Sequence, residues 1–257
     1  MNTTAHPQAL VLGASGTVGF GVVGALLEVG SPVLAVGRDG PRMRALSEHF
    51  AEEPGLELMH SGCIFSDDDA AKLVKAVRAR ERPVHAVFAS LTSPLEPGRL
   101  LDKPADALRH KLEMDLIPHL AAARALLPLL SEYDGAAHYV MVGGPFAERG
   151  WAGYGHSSVT GAAMRMMAQV LHEEAQSMGV RVQLLSIDSP ICTPSNSVNA
   201  CAEWPTALSV GRSAVSLLSR PGKPRSIVSY SPDSATQPTQ TLFPAFAPPL
   251  PTTRDLP

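Results

Sequence analysis

Short apolar runs alternate with longer amphipathic stretches along most of this 257-residue chain. Strands of a parallel sheet that is covered on both faces are continuous apolar runs, and a crossover helix follows each of them. The alternation therefore predicts a doubly wound α/β fold with a seven-stranded, mainly parallel sheet and helices on both faces. The predicted strands are residues 9–12, 33–36, 56–61, 84–89, 138–142, 182–187 and 226–230. The predicted helices are residues 17–29, 41–51, 67–80, 105–130, 155–178 and 207–219.

The same pattern predicts one domain over residues 1–230, followed by a tail over residues 231–257. This tail is rich in Pro, Thr and Ser, which favours poor order. The alternative is that its apolar residues Leu242, Phe243 and Phe246 dock on the body or on a second subunit. Residues 189–205 follow the sixth strand without clear periodicity, and we expect this loop to cover a ligand.

Composition narrows the classes of function. The formal net charge of −3 provides no basic surface for nucleic acid. The cysteines, at positions 63, 192 and 201, are too few and too scattered for a disulfide framework or a metal site, and they fit a reducing compartment. We find neither a signal peptide nor a stretch that could span a bilayer, and the histidines show no ligand pairing. A cytoplasmic protein without metal, membrane or nucleic-acid partners is expected.

A glycine-rich segment lies directly between the first predicted strand and the first predicted helix. It reads Gly13-Ala14-Ser15-Gly16-Thr17-Val18-Gly19. Residues without side chains at such a turn let backbone N–H groups and the positive helix end approach a pyrophosphate, and the last glycine allows close packing of helix on strand. The segment predicts a Rossmann-type dinucleotide site, and the alternative is a purely structural turn.

The end of the second strand bears on which dinucleotide binds. Gly37 occupies the place, about twenty residues after the glycine loop, where an acidic residue would bind the ribose hydroxyls of NAD. The neighbouring Arg38 matches the geometry and charge of a 2′-phosphate. NADP(H) is therefore predicted over NAD(H). In the alternative, Arg38 is a solvated surface charge and Asp39 reaches the ribose.

From Ala9 to about Tyr230 the chain resembles the short-chain dehydrogenase/reductase family. The resemblance rests on the glycine loop, on the Gly37-Arg38-Asp39 strand end, on Tyr154 opening a long helix, and on Ser189-Pro190-Ile191-Cys192-Thr193 after the sixth strand. It implies a reductase or dehydrogenase of a small carbonyl or alcohol. The residues that it implies for cofactor binding, besides the glycine loop and strand end, are Cys63 and Ile64 at the adenine, and Ala89, Ser90, Pro190, Ile191 and Thr193 towards the nicotinamide.

The family's catalytic pattern is altered in this chain. In the family a Tyr is the general acid/base, a Lys four residues later assists it, a Ser orients the carbonyl and an Asn supports a proton relay. By resemblance Tyr154 is the tyrosine, but Ser158 stands at the lysine, Gly143-Gly144 at the serine and Asp115 at the asparagine. Tyr154, Asp115 and Ser158 are the catalytic candidates.

Several alternatives remain open at this point. Three roles are open for Asp115. It is a general base, a charge that opposes ionisation of Tyr154, or a structural acid at a helix kink before Pro118. His156 is an unfavoured partner for Tyr154, because residues two apart point to different sides of a helix.

The function itself has three readings: an oxidoreductase, a dinucleotide-binding or regulatory protein that has lost catalysis, and a non-redox lyase or isomerase on the same fold. Helices 105–130 and 155–178 are rich in Ala, Leu and Met. They predict a homodimer or homotetramer, as the family resemblance also implies.

Overall fold

The seven predicted strands form one sheet in which every neighbouring pair is parallel. The structure is a computed structural model, and it describes residues 6–193 and 196–232. The strand order is β3-β2-β1-β4-β5-β6-β7. The strands are β1 Gln8–Leu12, β2 Val33–Gly37, β3 Leu56–His60, β4 Val84–Ala89, β5 Ala137–Gly143, β6 Val180–Ser186 and β7 Ile227–Ser229.

Helices cover both faces of this sheet, as the apolar strands require. The helices are α1 Thr17–Glu28, α2 Pro41–His49, α3 Asp67–Arg78, α4 Ala105–Asp115, α5 Ile117–Leu130, α6 Gly155–Glu174 and α7 Ala207–Ser216. One apolar cluster joins α1, α2 and α7 to one face, and a second joins α3, α5 and α6 to the other. The predicted doubly wound α/β fold is confirmed.

The long helix predicted over residues 105–130 is divided into α4 and α5. The break lies at Leu116, which has φ −105° and ψ −50°. Pro118 follows in the first turn of α5. Proline has no N–H and its ring clashes with the carbonyl four residues earlier, so the helix cannot continue unbroken through this point. The break places Asp115 at the carboxyl end of α4, beside the edge of the sheet where β4 ends.

Some sequence predictions fall partly or wholly outside the described residues. The predicted tail does so from residue 233 onward, and so do Leu242, Phe243 and Phe246. All three cysteines are free thiols. No helix in the described ranges combines the length and the apolar character needed to cross a membrane.

Candidate functional site

A cleft opens at the carboxyl ends of the central strands. From β1 the chain adds β2 and β3 on one side, then crosses back and places β4 on the other side. Open α/β sheets bind their ligands in the crevice at such a switch point, because successive connections diverge there. The cavity in this crevice has a volume of about 360 Å³. We refer to it as the cleft.

The glycine loop, residues 13–19, borders the cleft, and its geometry requires glycine at both ends. Gly13 has φ 72°, and a Cβ atom there would collide with the backbone carbonyl oxygen of Ser90. A Cβ atom at Gly19 would collide with the carbonyl oxygen of Gly13. The loop can therefore keep its path against β4 only with glycine at these two positions.

The amino end of α1 fits an anionic group. Gly16 is the N-cap residue, no side chain caps the helix, and no acidic residue lies in the first turn. The first N–H groups of a helix have no intrahelical acceptor, and the helix dipole favours negative charge there. Thr17 and Val18 also line the cleft. The residues present thus fit the pyrophosphate of a dinucleotide.

The residues predicted for the adenosine end lie together after β2 and β3. Arg38 and Asp39 are exposed, Cys63 is half-buried and Ile64 is buried. The Arg38 Nη1 atom lies 4.0 Å from the Cys63 sulfur, and an Asp39 carboxylate oxygen lies 3.9 Å from His60 Nδ1. Arg38 is therefore exposed to solvent beside the residue predicted to flank the adenine.

Gly37 has close neighbours where an acidic side chain would bind a ribose. A Cβ atom at Gly37 would lie 3.0 Å from the sulfur of Met43 and 3.3 Å from the Ser15 hydroxyl oxygen. An aspartate or glutamate at this position would displace one of these side chains. Ser15, which was predicted to bind the cofactor, thus lies beside Gly37, the residue at the place of the ribose-binding acid.

The residues predicted near the nicotinamide also gather at the cleft. Ser90, Pro190, Ile191 and Thr193 line it, whereas Ala89 is buried at the end of β4. Asn196 lines the cleft as well, and its side-chain amide joins the Thr193 N–H, at 2.7 Å, to the Ile191 carbonyl, at 2.9 Å. The residues of the 189–205 loop that do not line the cleft include Cys192, Asn199, Cys201 and Trp204.

The structure does not bring Tyr154 into the cleft. Tyr154 is the N-cap residue of α6, with φ −133° and ψ 35°, so it lies outside the helical path. Its ring stacks on that of Phe146, with centroids 4.5 Å apart and planes 19° apart. The Trp151 ring also packs on Phe146, with centroids 5.0 Å apart. Tyr154 is not among the residues that line the cleft.

Ser158 and His156 are also placed away from the cleft. Both are buried, and neither lines the cavity. The Ser158 hydroxyl oxygen accepts a hydrogen bond from the Trp151 N–H at 3.1 Å. This bond ties the start of α6 to the preceding loop, which is a structural task and not contact with a substrate.

The face of α6 that does line the cleft carries Ser157, Thr160, Gly161 and Met164. Their spacing of three and four residues is that of one helix face. Two pairs four residues apart therefore face the cleft, Ser157 with Gly161 and Thr160 with Met164, whereas Tyr154 and Ser158 do not line it. The hydroxyl oxygens of Ser157 and Thr160 are buried, and no hydrogen-bond partner for either exists within the described part of the chain.

The space for a side chain at Gly161 is already filled. A Cβ atom there would lie 2.8 Å from the Cβ and 3.1 Å from the Cα of Ala147, in the loop of residues 144–154 that joins β5 to α6. Real Cβ contacts are essentially never that short, so a lysine at this position would require the loop to move. At Gly144, by contrast, a Cβ atom would meet nothing within 4 Å. The helix face thus lacks the family's lysine and also the room for it.

A polar cluster lies on the β4–α4 connection and on α4, and Asp115 alone of its members was predicted from the sequence. Lys111 and Asp115, one turn apart on α4, form an ion pair of 2.8 Å, and both line the cleft. The Lys111 ammonium also donates to the Ser93 hydroxyl oxygen at 2.7 Å and to the Pro94 carbonyl at 3.2 Å. The second Asp115 carboxylate oxygen accepts from the Ser93 N–H at 2.6 Å. We call Ser93, Lys111 and Asp115 the Ser93 cluster.

Two of the three side chains of this cluster are largely buried. The side chains of Lys111 and Asp115 are 13% and 8% exposed. One turn further along, His119 is fully buried, and burial lowers its pKa to about 4 although the charge of Asp115 opposes the shift. Asp115, predicted as a catalytic candidate, therefore does lie in the cleft, with each carboxylate oxygen bound to a partner. The sequence signal for Lys111 is its spacing of one helical turn from Asp115.

No group of three or more His, Cys, Asp or Glu side chains within residues 6–193 and 196–232 is arranged to hold a metal ion.

Comparison with known proteins agrees with the fold. The family model of short chain dehydrogenases matches residues 7–197, and the chain therefore belongs to the short-chain dehydrogenase family. A search of curated protein sequences gives no match.

Solved structures share the fold at low sequence identity. A short-chain type dehydrogenase/reductase from Mycobacterium ulcerans superposes with a TM-score of 0.76 at 16% identity, over 90% of each chain. A short chain dehydrogenase from Burkholderia cenocepacia, in complex with NADP, gives 0.70 at 19% identity, over 90% of each chain. A short chain oxidoreductase from Pseudomonas aeruginosa, described as containing an atypical catalytic center, gives 0.72 at 20% identity, over 82% of this chain and 89% of that one.

Proposed function

We propose that the cleft binds NADP(H) and that the protein is an NADP(H)-dependent oxidoreductase acting on a small carbonyl or alcohol. The observation that carries the proposal is the glycine loop, where Gly13 and Gly19 leave no room for side chains and the first turn of α1 is open to an anion. The dinucleotide pyrophosphate would lie on this loop. When bound, a reduced nicotinamide supplies a hydride to the carbonyl carbon, is itself oxidised, and the π electron pair of the carbonyl moves to its oxygen.

The choice of NADP(H) over NAD(H) rests on the end of β2. A ribose-binding acid is missing at Gly37, whose Cβ position is crowded by Met43 and Ser15. Arg38 is exposed beside it, where its guanidinium would pair with a 2′-phosphate. The B. cenocepacia dehydrogenase is bound to NADP, which is consistent with this choice.

Calorimetric titration of NADPH and NADH into the purified protein tests this proposal. We expect micromolar binding of NADPH and weaker binding of NADH. Arg38→Ala removes a charge-assisted contact, so it should weaken NADPH binding by about tenfold or more and leave NADH binding within about threefold. Arg109→Ala, an exposed arginine of α4, is the matched control and should alter neither. Equal binding of both dinucleotides, unaffected by Arg38→Ala, would contradict the proposed specificity.

A second candidate function is a dinucleotide-binding protein without hydride transfer. It is favoured by the α6 face that lines the cleft, which carries no lysine and where Ala147 fills the space beside Gly161. Single-turnover oxidation of bound NADPH in the presence of excess carbonyl compounds separates the two candidates. Oxidation supports the oxidoreductase, and binding without oxidation of NADPH supports the second candidate.

We further propose a homodimer or homotetramer formed through α4–α5 and α6. On α6 the exposed apolar residues Val159, Met166 and Val170 follow helical spacing, and Ile117 and Leu120 are exposed on α5. An apolar stripe of this kind is typical of a helix-packed interface. Light scattering should give at least twice the chain mass for the natural protein and a lower mass for Met166→Glu.

A further inference from the structure

We propose that the Ser93 cluster binds the substrate's carbonyl oxygen and delivers the proton to it, in place of groups on α6, and that the substrate is a small neutral ketone or aldehyde. The inference rests on the proposed oxidoreductase function and names its proton donor and substrate class. The cluster lies on the β4–α4 connection and on α4, and it lines the same cleft as the α6 face.

The hydrogen bonds fix which atom is free to act. Lys111 Nζ has three hydrogens, and three acceptors surround it: the Ser93 hydroxyl, the Pro94 carbonyl and the Asp115 carboxylate. Lys111 is therefore held in place and has no further donor. Ser93 accepts the Lys111 hydrogen bond, and its own hydroxyl proton meets no acceptor in the described residues. The Ser93 O–H is thus the donor that the cluster offers to a ligand in the cleft.

The proton transfer balances within these residues. The carbonyl oxygen that receives the π electron pair needs one proton, and it takes that proton from the Ser93 hydroxyl. The Ser93 oxygen takes a proton from the Lys111 ammonium along the existing 2.7 Å hydrogen bond. Lys111 becomes a neutral amine and regains its proton from solvent. In the direction of alcohol oxidation each transfer runs in reverse.

Asp115 has a positioning role in this scheme. Its two carboxylate oxygens hold the Ser93 N–H and the Lys111 ammonium, so they fix the serine and the lysine relative to one another. A buried ion pair is often no more stabilising than apolar residues of similar volume. The stability of the fold therefore gives little reason for a charged pair at this wall of the cleft.

The lining of the cleft indicates the class of substrate. Lys111 and Asp115 are the ionisable groups among the described lining residues, and their charges cancel. Leu95, Val142 and Met164 supply apolar surface. A charged substrate would have no unpaired counter-charge there, whereas a neutral carbonyl would find hydroxyl donors, the Ser93 O–H among them, and an apolar wall.

The Lys111 ammonium provides a readout that does not depend on turnover. The chain has five lysines. In protein with isotope-labelled lysine, the Lys111 Nζ resonance is assigned by its loss in Lys111→Met. Acetone, cyclohexanone and benzaldehyde are titrated with and without NADP⁺. We expect at least one of them to shift this resonance saturably in the natural protein and not in Ser93→Ala, while the resonance of the exposed Lys75 stays unmoved. The proposal is overturned if none of the three shifts it.

Turnover of the carbonyl that binds gives the second readout. Ser93→Ala and Lys111→Met should lower kcat/KM by about a hundredfold or more, the size expected for loss of a general acid. Lys111→Arg should retain part of the activity, and Asp115→Asn should lose less than Lys111→Met. Lys75→Met is the control and should be unchanged. Variants of Ser93 and Lys111 that keep kcat/KM within about threefold would overturn the proposal.

These two readouts distinguish this inference from the proposed function. Absence of NADPH binding would contradict the oxidoreductase, while the Lys111 resonance measured without dinucleotide would still decide whether the cluster binds a carbonyl. NADPH binding that is unchanged in Ser93→Ala, combined with loss of turnover, is the expected result. NADPH binding and turnover that are both unchanged in that variant would overturn the inference and leave the oxidoreductase intact.

Discussion

The two ends of the cleft lie on the same edge of the sheet but differ in what they retain. At the glycine loop, Gly13 and Gly19 are fixed by backbone carbonyls that would collide with any side chain. At α6, the glycine that faces the cleft is fixed by a loop residue, Ala147, that fills the space beside it. At all three positions protein atoms occupy the space that a side chain would take: backbone at Gly13 and Gly19, and Ala147 at Gly161. What distinguishes the glycine-loop end is the amino end of α1, which has no side-chain cap and no acidic residue in its first turn.

The polar groups that line the cleft also differ between α6 and the Ser93 cluster. The hydroxyls of Ser157 and Thr160 on α6 are buried without a partner in the described residues, whereas in the Ser93 cluster Lys111 and Asp115 are charged and held by hydrogen bonds and the Ser93 O–H alone meets no acceptor in the described residues. Charge in a partly dry site acts strongly on a developing oxyanion. The wall formed by α4 is therefore better equipped for proton transfer than the wall formed by α6.

The largest effect should come from Gly13→Val. Valine at φ 72° is strained, and its side chain would collide with the Ser90 carbonyl and block the approach of a pyrophosphate. We expect NADPH affinity to fall by at least about a hundredfold, measured by calorimetry. Retention of binding would show that the ligand does not use this loop. Gly62→Ala, whose added Cβ would meet nothing within 4 Å, is the matched glycine control.

Substitutions at the α6 end of the cleft should change the free energy of unfolding. Gly161→Lys forces contact with Ala147 and should lower the free energy of unfolding by about 2–3 kcal/mol in urea titrations, as overpacking does. Gly144→Ser, placed in open space, should change it by about 0.5 kcal/mol or less. Adding Ala147→Gly to Gly161→Lys should recover part of the loss. Equal effects of the two single substitutions would contradict the idea that Ala147 fills the side-chain space at Gly161.

The pH dependence of stability should reveal His119, which lies one turn beyond the Ser93 cluster. Burial lowers its pKa to about 4 from 6.5, so the unfolded chain binds more protons between these values and stability is lost as the pH falls below 6.5. We expect His119→Gln to remove about 2 kcal/mol of the fall in unfolding free energy between pH 6.5 and about pH 5. His110→Gln, an exposed neighbour on α4, should leave the slope unchanged. An unchanged slope in His119→Gln would contradict the burial of a neutral imidazole.

The smallest expected effect is the difference in stability between substitutions of two adjacent serines of α6. Ser158→Ala removes the acceptor of the Trp151 N–H and should lower the free energy of unfolding by about 1 kcal/mol. Ser157→Ala removes a hydroxyl that has no partner in the described residues and should change it by about 0.5 kcal/mol or less. Thermal unfolding of the two variants would measure the difference. The opposite order of effects would mean that Ser157 is the structural residue.

The positions of the strands, the glycine loop and the loop after β6 could be predicted because each depends on local pattern. Apolar runs and a glycine turn at a strand end define them without reference to distant residues. The break between α4 and α5 also has a local cause in Pro118.

The α6 face that lines the cleft and the Ser93 cluster could not be predicted in the same way. The face that α6 presents to the cleft depends on where the helix begins, and Tyr154 lies just outside it because its ring stacks on Phe146. Ser93 and Lys111 are distant in sequence, and only the path of the chain between β4 and α4 brings their side chains together. Tertiary contacts of this kind leave no periodic signal.

A crystal structure of the protein with NADP⁺ tests the central claim most directly. We expect the pyrophosphate on the glycine loop, the 2′-phosphate within hydrogen-bond distance of Arg38, and the nicotinamide in the cleft with Ser93 beside its reactive face. A dinucleotide bound away from Gly13, or a nicotinamide whose reactive face lies against α6 and away from Ser93, would contradict it.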